Sequence, residues 1–300
     1  MKISLCVDPG RSWHEMLALA QRVDAAGWHA VYLCDHFMPH DPRGAALDGP
    51  VLECWTGLSA LAARTTTIRL GSLVLGNTYR HPAVVANMAA SLDQVSGGRV
   101  VLGVGAGWQP NEHAAYGLSL PSAHERIDAL DEACGVIRSL LDQSRSTTNG
   151  ATYQLVDAPC DPKPVQPRLP LLVGGGGERR TLKVAARHAD VWHAWADPEQ
   201  LARKNAILDA HCEDVGRNPG DIARATGGTV DLWSRAKARV NGDDCEVQGS
   251  AEEVLGRLLE FADSGADEFI VRDDAARVPV GEACAQIDLL TDAVIPRLSS

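Results

Sequence analysis

Short apolar runs alternate with helix-like stretches from one end of this 300-residue chain to the other. The runs are rich in β-branched residues and the stretches between them repeat apolar residues at helical spacing, which predicts strands and helices in turn. Eight strands are expected, at Ile3–Val7, Ala30–Cys34, Ile68–Leu75, Arg99–Val104, Leu171–Val173, Ala189–Ala194, Ile222–Leu232 and Glu268–Val271. Eight strand–helix units in this length predict an α/β protein with a (β/α)8 TIM barrel, and a doubly wound parallel sheet is the structural alternative.

Local signals mark the ends of individual elements. Ser12 can cap the first helix and Gly27 ends it, while Pro82 suits the first turn of another helix. The segment 144–170 interrupts the alternation, because it is polar, rich in proline and contains an Asn-Gly turn. It is predicted to be an inserted hairpin followed by extended chain, so that residues 1–300 form a single domain.

The net charge and the spacing of the cysteines limit the kinds of protein that this chain can be. The formal net charge of −11 argues against a nucleic-acid partner, which favours a basic face. The eight cysteines are scattered without a Cys-x-x-Cys pair, so neither a disulfide framework nor a zinc signature is expected. The first residues resemble a strand rather than a signal peptide, and no apolar run is long enough to span a bilayer. A cytoplasmic protein with reduced thiols is expected.

Polar residues follow the second predicted strand, at the end of a barrel strand where active sites lie. Asp35 and His36 stand there. A buried Asp–His pair can hold an imidazole in one tautomer or supply a proton, and the alternative is a polar corner under a loop.

Glycines follow the next strands. Gly71–Asn77 contains a glycine and a serine within an apolar run, which indicates either a bulge near a ligand or barrel packing. Gly103–Gly107 could admit a flat ring, with Trp108 as a wall. The four glycines Gly174–Gly177 lie between a strand and a helix, where backbone N–H groups can approach an anion or simply make a tight turn. A phosphorylated cofactor is therefore a candidate ligand.

A catalytic metal is not expected, although several side chains could contribute ligands. No HExxH or similarly dense motif is present, and no nucleophile elbow is recognisable. The residues considered as ligands are Asp35, His36, Glu53, His81, Glu112 and His113.

Four segments carry a family resemblance: YLCDHFMP, RLGSLVLGNTYRHPAVVANMAASLDQVSGGRVVLGVGAGW, PKPVQPRLPLLVGGGGERR and SAEEVLGRLLEFADSGADEFIV. In this order the chain resembles the luciferase-like monooxygenase superfamily, in particular its branch that uses the deazaflavin coenzyme F420. The resemblance covers nearly the whole chain and implies a (β/α)8 barrel with insertions.

The resemblance also implies residue roles. Ser72-Leu73 would carry a non-proline cis peptide that backs the middle flavin ring, and Gly175–Gly177 would form the phosphate loop. His36 would be the proton donor or acceptor, with Asp35 and Trp108 as the other catalytic positions. The implied cofactor-binding residues are Ser72, Leu73, Asn77, Ala106, Gly107, Gly174, Gly175, Gly176 and Gly177.

Two departures from the family bear on the substrate. Sugar-phosphate dehydrogenases of this branch carry a glutamate where Trp108 stands and a tryptophan where His40 stands. Glucose-6-phosphate chemistry is therefore not expected, and an alcohol, carbonyl or enoyl compound fits the aromatic wall better. The segment 229–249 is short and polar for the family, so the lid after the seventh strand is expected to differ.

The leading hypothesis is an F420-dependent oxidoreductase that acts on a small molecule. The alternatives are an FMN-dependent monooxygenase supplied by a separate reductase, and a non-catalytic flavin-binding barrel. The resemblance further implies a homodimer.

Overall fold

In the computed structural model, described over residues 1–39, 48–232, 246–274 and 278–298, parallel strands close into a ring. The strands are β1 (Lys2–Val7), β2 (Ala30–Leu33), β3 (Arg69–Ser72), β4 (Leu75–Gly76), β5 (Val100–Gly105), β6 (Ser146–Asn149), β7 (Gln154–Ala158), β8 (Leu171–Gly174), β9 (Val191–His193), β10 (Ala223–Asp231), β11 (Glu246–Gln248) and β12 (Glu268–Arg272). The α-helices are α1 (Trp13–Ala25), α2 (Cys54–Ala62), α3 (Pro82–Ser96), α4 (Pro110–Tyr116), α5 (Ala123–Asp142), α6 (Thr181–His188), α7 (Pro198–Asp214), α8 (Ala251–Asp263) and α9 (Val280–Ala293).

The ring runs in the order β1, β2, β3, β5, β8, β9, β10 and β12, and β12 pairs with β1 again. Every one of these pairings is parallel. The predicted TIM barrel is confirmed, and the doubly wound alternative is wrong because an open sheet leaves its edge strands unpaired.

Alternation along the strands separates two cores. In β1, Ile3, Leu5 and Val7 pack outwards in the large cluster between strands and helices, while Cys6 packs inside the ring with Tyr32. Successive side chains of a strand point to opposite faces, so this assignment fixes which residues reach the interior of the barrel.

The local signals agree with the structure. Ser12 caps α1 in a reciprocal capping box with Glu15, and Gly27 has a left-handed φ of 73° just past the end of α1. The inserted segment begins with the antiparallel hairpin β6–β7, between α5 and β8. The assignment of 1–300 to a single domain stays a prediction.

The predicted third strand is interrupted. β3 ends at Ser72, β4 begins at Leu75, and the cis peptide joins Leu73 to Val74. The prediction of a cis bond at Ser72-Leu73 was therefore wrong by one bond. The Leu73 N–H still donates to the carbonyl oxygen of Leu33 over 2.8 Å, so the chain leaves the ladder only after Leu73.

Two further predictions concern segments that the structure describes in part. Residues 229–249 begin in β10 and reach β11, but 233–245 and His40 lie outside the described residues.

No helix in the described ranges is both long and apolar enough to cross a membrane.

Candidate active site

Asp35 follows β2 at the carboxyl end of the barrel and is 2% exposed. Arg80 donates from Nη1 to Oδ2 over 2.8 Å and from Nη2 to Oδ1 over 3.0 Å, and the Gly76 N–H donates to Oδ2 over 2.9 Å. Burial raises the pKa of Asp35, and these donors oppose that rise. Both oxygens of Asp35 accept hydrogen bonds from these donors, which hold the carboxylate at the strand end.

His36 is oriented by a different carboxylate. Its Nδ1 lies 3.2 Å from Oε2 of Glu112, which is fully buried in α4. Burial lowers the pKa of His36, but the hydrogen bond and charge of Glu112, with smaller effects of Cys34 and Asp35, outweigh it and the net pKa is raised. The imidazolium form is therefore more stable, relative to the neutral ring, than in a solvent-exposed histidine.

Besides its contact with His36, Glu112 accepts hydrogen bonds from three further groups. Its carboxylate accepts the N–H groups of Phe37 and Met38 and the hydroxyl of Tyr79. Burial raises the pKa of Glu112, but His36, Tyr79 and Phe37 together lower it to about 2. The sequence suggested Glu112 only as a metal ligand, whereas the structure makes it the anionic partner of His36.

Replacing Glu112 with glutamine is expected to lower the pKa of His36 by about one unit or more, because a neighbouring charge shifts a pKa by 1–3 units. The glutamine oxygen can still accept from Phe37 and Met38, so the fold should persist. The measurement is an NMR titration of the His36 ring, with Glu125→Gln in the cap of α5 as control. An unchanged or higher His36 pKa in the Glu112 variant would contradict the pairing.

The other residues considered as metal ligands have separate roles. Glu53 caps the start of α2 and His81 the start of α3. His113 contacts the carbonyl oxygen of Gln109 and the hydroxyl of Thr78, both over 2.7 Å. Across the described ranges, no three His, Cys, Asp or Glu side chains are grouped so that they could hold a metal.

Trp108 borders the site. It is 47% exposed, and its ring stands edge-on to His36 with centroids 5.7 Å apart. Gly107 beside it has a φ of 76°, and a Cβ there would lie 2.4 Å from the hydroxyl of Thr78. Ala106 is half-buried, and the Asn77 amide donates to the hydroxyl of Tyr153 over 3.0 Å. An aromatic side chain therefore stands beside His36.

The bulge after β3 is packed by glycines. Cβ atoms added to Gly103, Gly105 and Gly174 would lie only 3.1, 2.6 and 2.8 Å from the methyl carbons of Val74. These glycines leave room for Val74, which explains Gly174 as a packing residue. Ser72 is fully buried and its hydroxyl both donates to and accepts from the Gly103 backbone, so that side chain faces the sheet. Leu73 packs in the inner core.

The glycine loop after β8 offers backbone donors. Gly175 has a φ of 131° and donates its N–H to the His193 carbonyl oxygen, whereas the N–H groups of 176–180 donate to no acceptor in the described part of the chain. The Nζ of Lys204 donates to the Gly176 carbonyl oxygen over 2.7 Å and pairs with Oε1 of Glu178 over 3.4 Å. Residues 181–188 then form α6, so the loop ends at a helix N-terminus.

Sequence reasoning missed Arg80, Lys204 and His193. His193 is 4% exposed, and its Nε2 is buried without a hydrogen-bond partner in the described residues. Burial lowers the pKa of His193 to about 3, so the ring is neutral. Its neighbour Trp192 packs in the outer core, and period-two alternation could therefore have indicated an inward-facing imidazole.

Comparisons with known proteins identify a family and several relatives of this chain. The sequence profile of a family described as luciferase-like monooxygenase matches residues 3–241. An F420-dependent glucose-6-phosphate dehydrogenase of Microbacterium testaceum is 35% identical over 215 residues, which are 70% of this chain and 61% of that protein. An F420-dependent hydroxymycolic acid dehydrogenase of Mycobacterium tuberculosis is 29% identical over 94% of this chain and 84% of that protein.

A solved structure shares the fold. An F420-dependent secondary alcohol dehydrogenase, in complex with an F420–acetone adduct, superposes with a TM-score of 0.81 at 22% identity, and 98% of each chain is covered. The aligned region spans less than two thirds of the glucose-6-phosphate dehydrogenase.

Proposed function

The chain belongs to the luciferase-like monooxygenase family, and on that premise we propose that it is an oxidoreductase that uses coenzyme F420 to transfer a hydride to or from a small organic substrate. The names of two relatives and of one structure with the same fold support the choice of cofactor. The observation that carries the proposal is His36, held at the barrel mouth by buried Glu112 and bordered by Trp108.

The residues present fit such a cofactor. Gly175, Gly176 and Gly177 carry no side chain, and the N–H groups of 176–180, which have no acceptor among the described residues, are suited to an anionic group. Lys204 supplies a nearby cation. The Leu73–Val74 bulge, Ala106 and Gly107 would border the ring, while Asn77 and Gly174 would contribute through packing and hydrogen bonding around them.

Coenzyme F420, when bound, supplies the hydride donor or acceptor. The chain binds and orients the reactants, and His36 gives or takes the substrate proton. Glu112 engages Nδ1 and so fixes the orientation of the His36 ring at the barrel mouth. The raised pKa of His36 favours the imidazolium, which is the form that donates a proton to a carbonyl oxygen.

The substrate in this proposal is an alcohol, carbonyl or enoyl compound of modest polarity. The rings of Trp108 and His36 are nearly perpendicular with centroids 5.7 Å apart, so an aromatic side chain borders the proposed substrate position. The indole of Trp108 supplies no charge that could balance the phosphate of a sugar phosphate.

The location is inferred from the composition of the chain, and the assembly only from the family resemblance. We propose a cytoplasmic homodimer that receives its reduced or oxidised cofactor from a separate F420-linked enzyme. Size-exclusion chromatography with light scattering measures the oligomeric state directly.

Titration of the purified protein with oxidised F420 and, in parallel, with FMN tests the proposed function. Micromolar or tighter binding of F420, with turnover of at least one alcohol, carbonyl or enoyl compound, is expected. Selective FMN binding with oxygen consumption from reduced FMN would instead place the chain among the two-component monooxygenases. Binding without turnover would indicate a non-catalytic barrel.

Replacing Gly176 with leucine is expected to weaken F420 binding at least about tenfold, which is ~1.4 kcal/mol. A Cβ at this position already lies 3.3 Å from Nζ of Lys204, so a larger side chain displaces that cation and covers the loop. The measurement is the dissociation constant by calorimetry. Gly256→Leu is the matched control, because it is exposed in α8 with no atom within 4 Å of an added Cβ. If the two variants bound F420 with equal affinity, the loop after β8 would not be part of the cofactor site.

A further inference from the structure

Two cysteines meet inside the barrel, below the catalytic strand end. Cys6 lies in β1 and Cys34 directly follows β2, and their sulfur atoms are 3.6 Å apart. The two strands pair in parallel with Cys6 opposite Tyr32, so Cys34 comes two residues further along. Both side chains belong to the inner core, and no rearrangement of the strands is needed to bring the thiols into contact.

The two thiols differ in accessibility and acidity. Cys6 is 1% exposed, whereas Cys34 is half-buried. The hydrogen bond between Cys6 and Cys34 and the nearby His36 lower the pKa of Cys34 despite its burial, while the same hydrogen bond and burial raise the pKa of Cys6. Cys34 is thus the thiol that reacts first, and Cys6 is placed to resolve the product.

We propose that Cys6 and Cys34 form a reversible disulfide when the protein meets a peroxide, and that this bond lowers turnover at the neighbouring site. The Cys34 thiolate attacks one peroxide oxygen, so that an S–O bond forms, the O–O bond breaks and hydroxide leaves to become water. The Cys6 thiol then attacks the Cys34 sulfur, the S–S bond forms and the S–O bond breaks. The second hydroxide leaves as water with the Cys6 proton. Two thiols are oxidised and one peroxide is reduced.

The effect on the site follows from geometry. An S–S bond is about 2.05 Å long, so the sulfurs must approach by about 1.5 Å. Cys34 precedes Asp35 and His36 directly, and these are fixed by Arg80 and Glu112 on other elements. Drawing Cys34 towards β1 pulls the strand end away from those partners. This consequence for turnover rests on the proposed function, whereas formation of the disulfide does not.

Peptide mapping tests the disulfide. The full-length protein is treated with hydrogen peroxide, its remaining thiols are blocked with N-ethylmaleimide in denaturant, and it is digested with trypsin. The cleavage sites predict a cross-link between peptides 3–11 and 23–43, lighter by two hydrogen atoms than the separate peptides and absent after dithiothreitol. Sulfinic or sulfonic acid at Cys34 without a cross-link would overturn the proposal.

Two variants complete the test. Cys6→Ser should abolish the cross-link, and excess peroxide should then oxidise the Cys34 sulfenic acid to the sulfinic acid, whose effect on turnover dithiothreitol does not reverse. Cys284→Ser, a half-buried cysteine in α9, should keep both the cross-link and its reversal. At least a tenfold fall in kcat with the disulfide, restored by dithiothreitol, is expected. A cross-link with unchanged kcat would overturn the regulatory effect and leave the proposed function standing. A cross-linked protein that binds no F420 in its reduced state would overturn the proposed function instead.

Discussion

Replacing His36 with glutamine is expected to lower kcat by about 10²–10⁴-fold, the usual contribution of a positioned general acid or base. Glutamine can still accept or donate a hydrogen bond towards Glu112, but it has no group that titrates near neutral pH. KM and the dissociation constant for F420 should change little, because the loop after β8 remains intact. The measurement is steady-state turnover of F420 with the alcohol, carbonyl or enoyl substrate found by screening.

The pH profile separates a chemical role of His36 from a structural one. Wild-type kcat should show an ionisation that the His36→Gln variant lacks, and Glu112→Gln should move that ionisation to lower pH. His14→Gln, at an exposed position in α1, serves as the matched histidine control. A His36→Gln enzyme with the wild-type pH profile and less than a threefold loss in kcat would exclude proton transfer by this residue.

The barrel could be predicted from the sequence because its signals are local. Each strand is a short apolar run, and capping residues such as Ser12 and Gly27 act within a few positions of themselves. The split of the third strand could not be predicted from periodicity, because Leu73 continues the apolar run while its neighbour Val74 turns into the space left by Gly103, Gly105 and Gly174.

The contacts that the site residues make with one another could not be predicted from the sequence. His36 and Glu112 are 76 positions apart, and Asp35 and Arg80 are 45 apart. Topology predicts that strand ends meet at one face, but α4 and the loop after β4 decide which carboxylate reaches which ring. A neighbouring Asp and His therefore suggested a pair, whereas the fold gives each residue its own partner.

The carboxylate of Asp35 is buried, so its negative charge depends on Arg80 for stabilisation. Arg80 reaches the carboxylate of Asp35 with two nitrogens and contacts Glu53 over 2.6 Å with one of them. The Asp35 side chain is fully buried, and the Arg80 side chain is 16% exposed. A buried pair of this kind adds little net stability over an apolar pair, but removal of one partner leaves the other charge without compensation.

Replacing Arg80 with leucine is therefore expected to lower the free energy of unfolding by about 3–5 kcal/mol. Burial already raises the pKa of Asp35, and loss of the guanidinium raises it further. An acid whose pKa is higher in the folded than in the unfolded state destabilises the fold increasingly as pH rises. The Arg80→Leu variant should therefore lose more unfolding free energy at about pH 8 than at about pH 5. Urea unfolding at both values measures the effect.

The double variant Arg80→Leu with Asp35→Asn tests the cause, because a neutral amide costs less to bury than a carboxylate. It should recover part of the stability and lose the dependence on pH. Arg22→Leu, which breaks the exposed pair with Asp288, should leave the free energy of unfolding nearly unchanged at both pH values. If Arg80→Leu were equally destabilised at both pH values and the added Asp35→Asn recovered nothing, the loss would come from the packing of the Arg80 side chain. The charge of Asp35 would then have no part in holding the barrel mouth together.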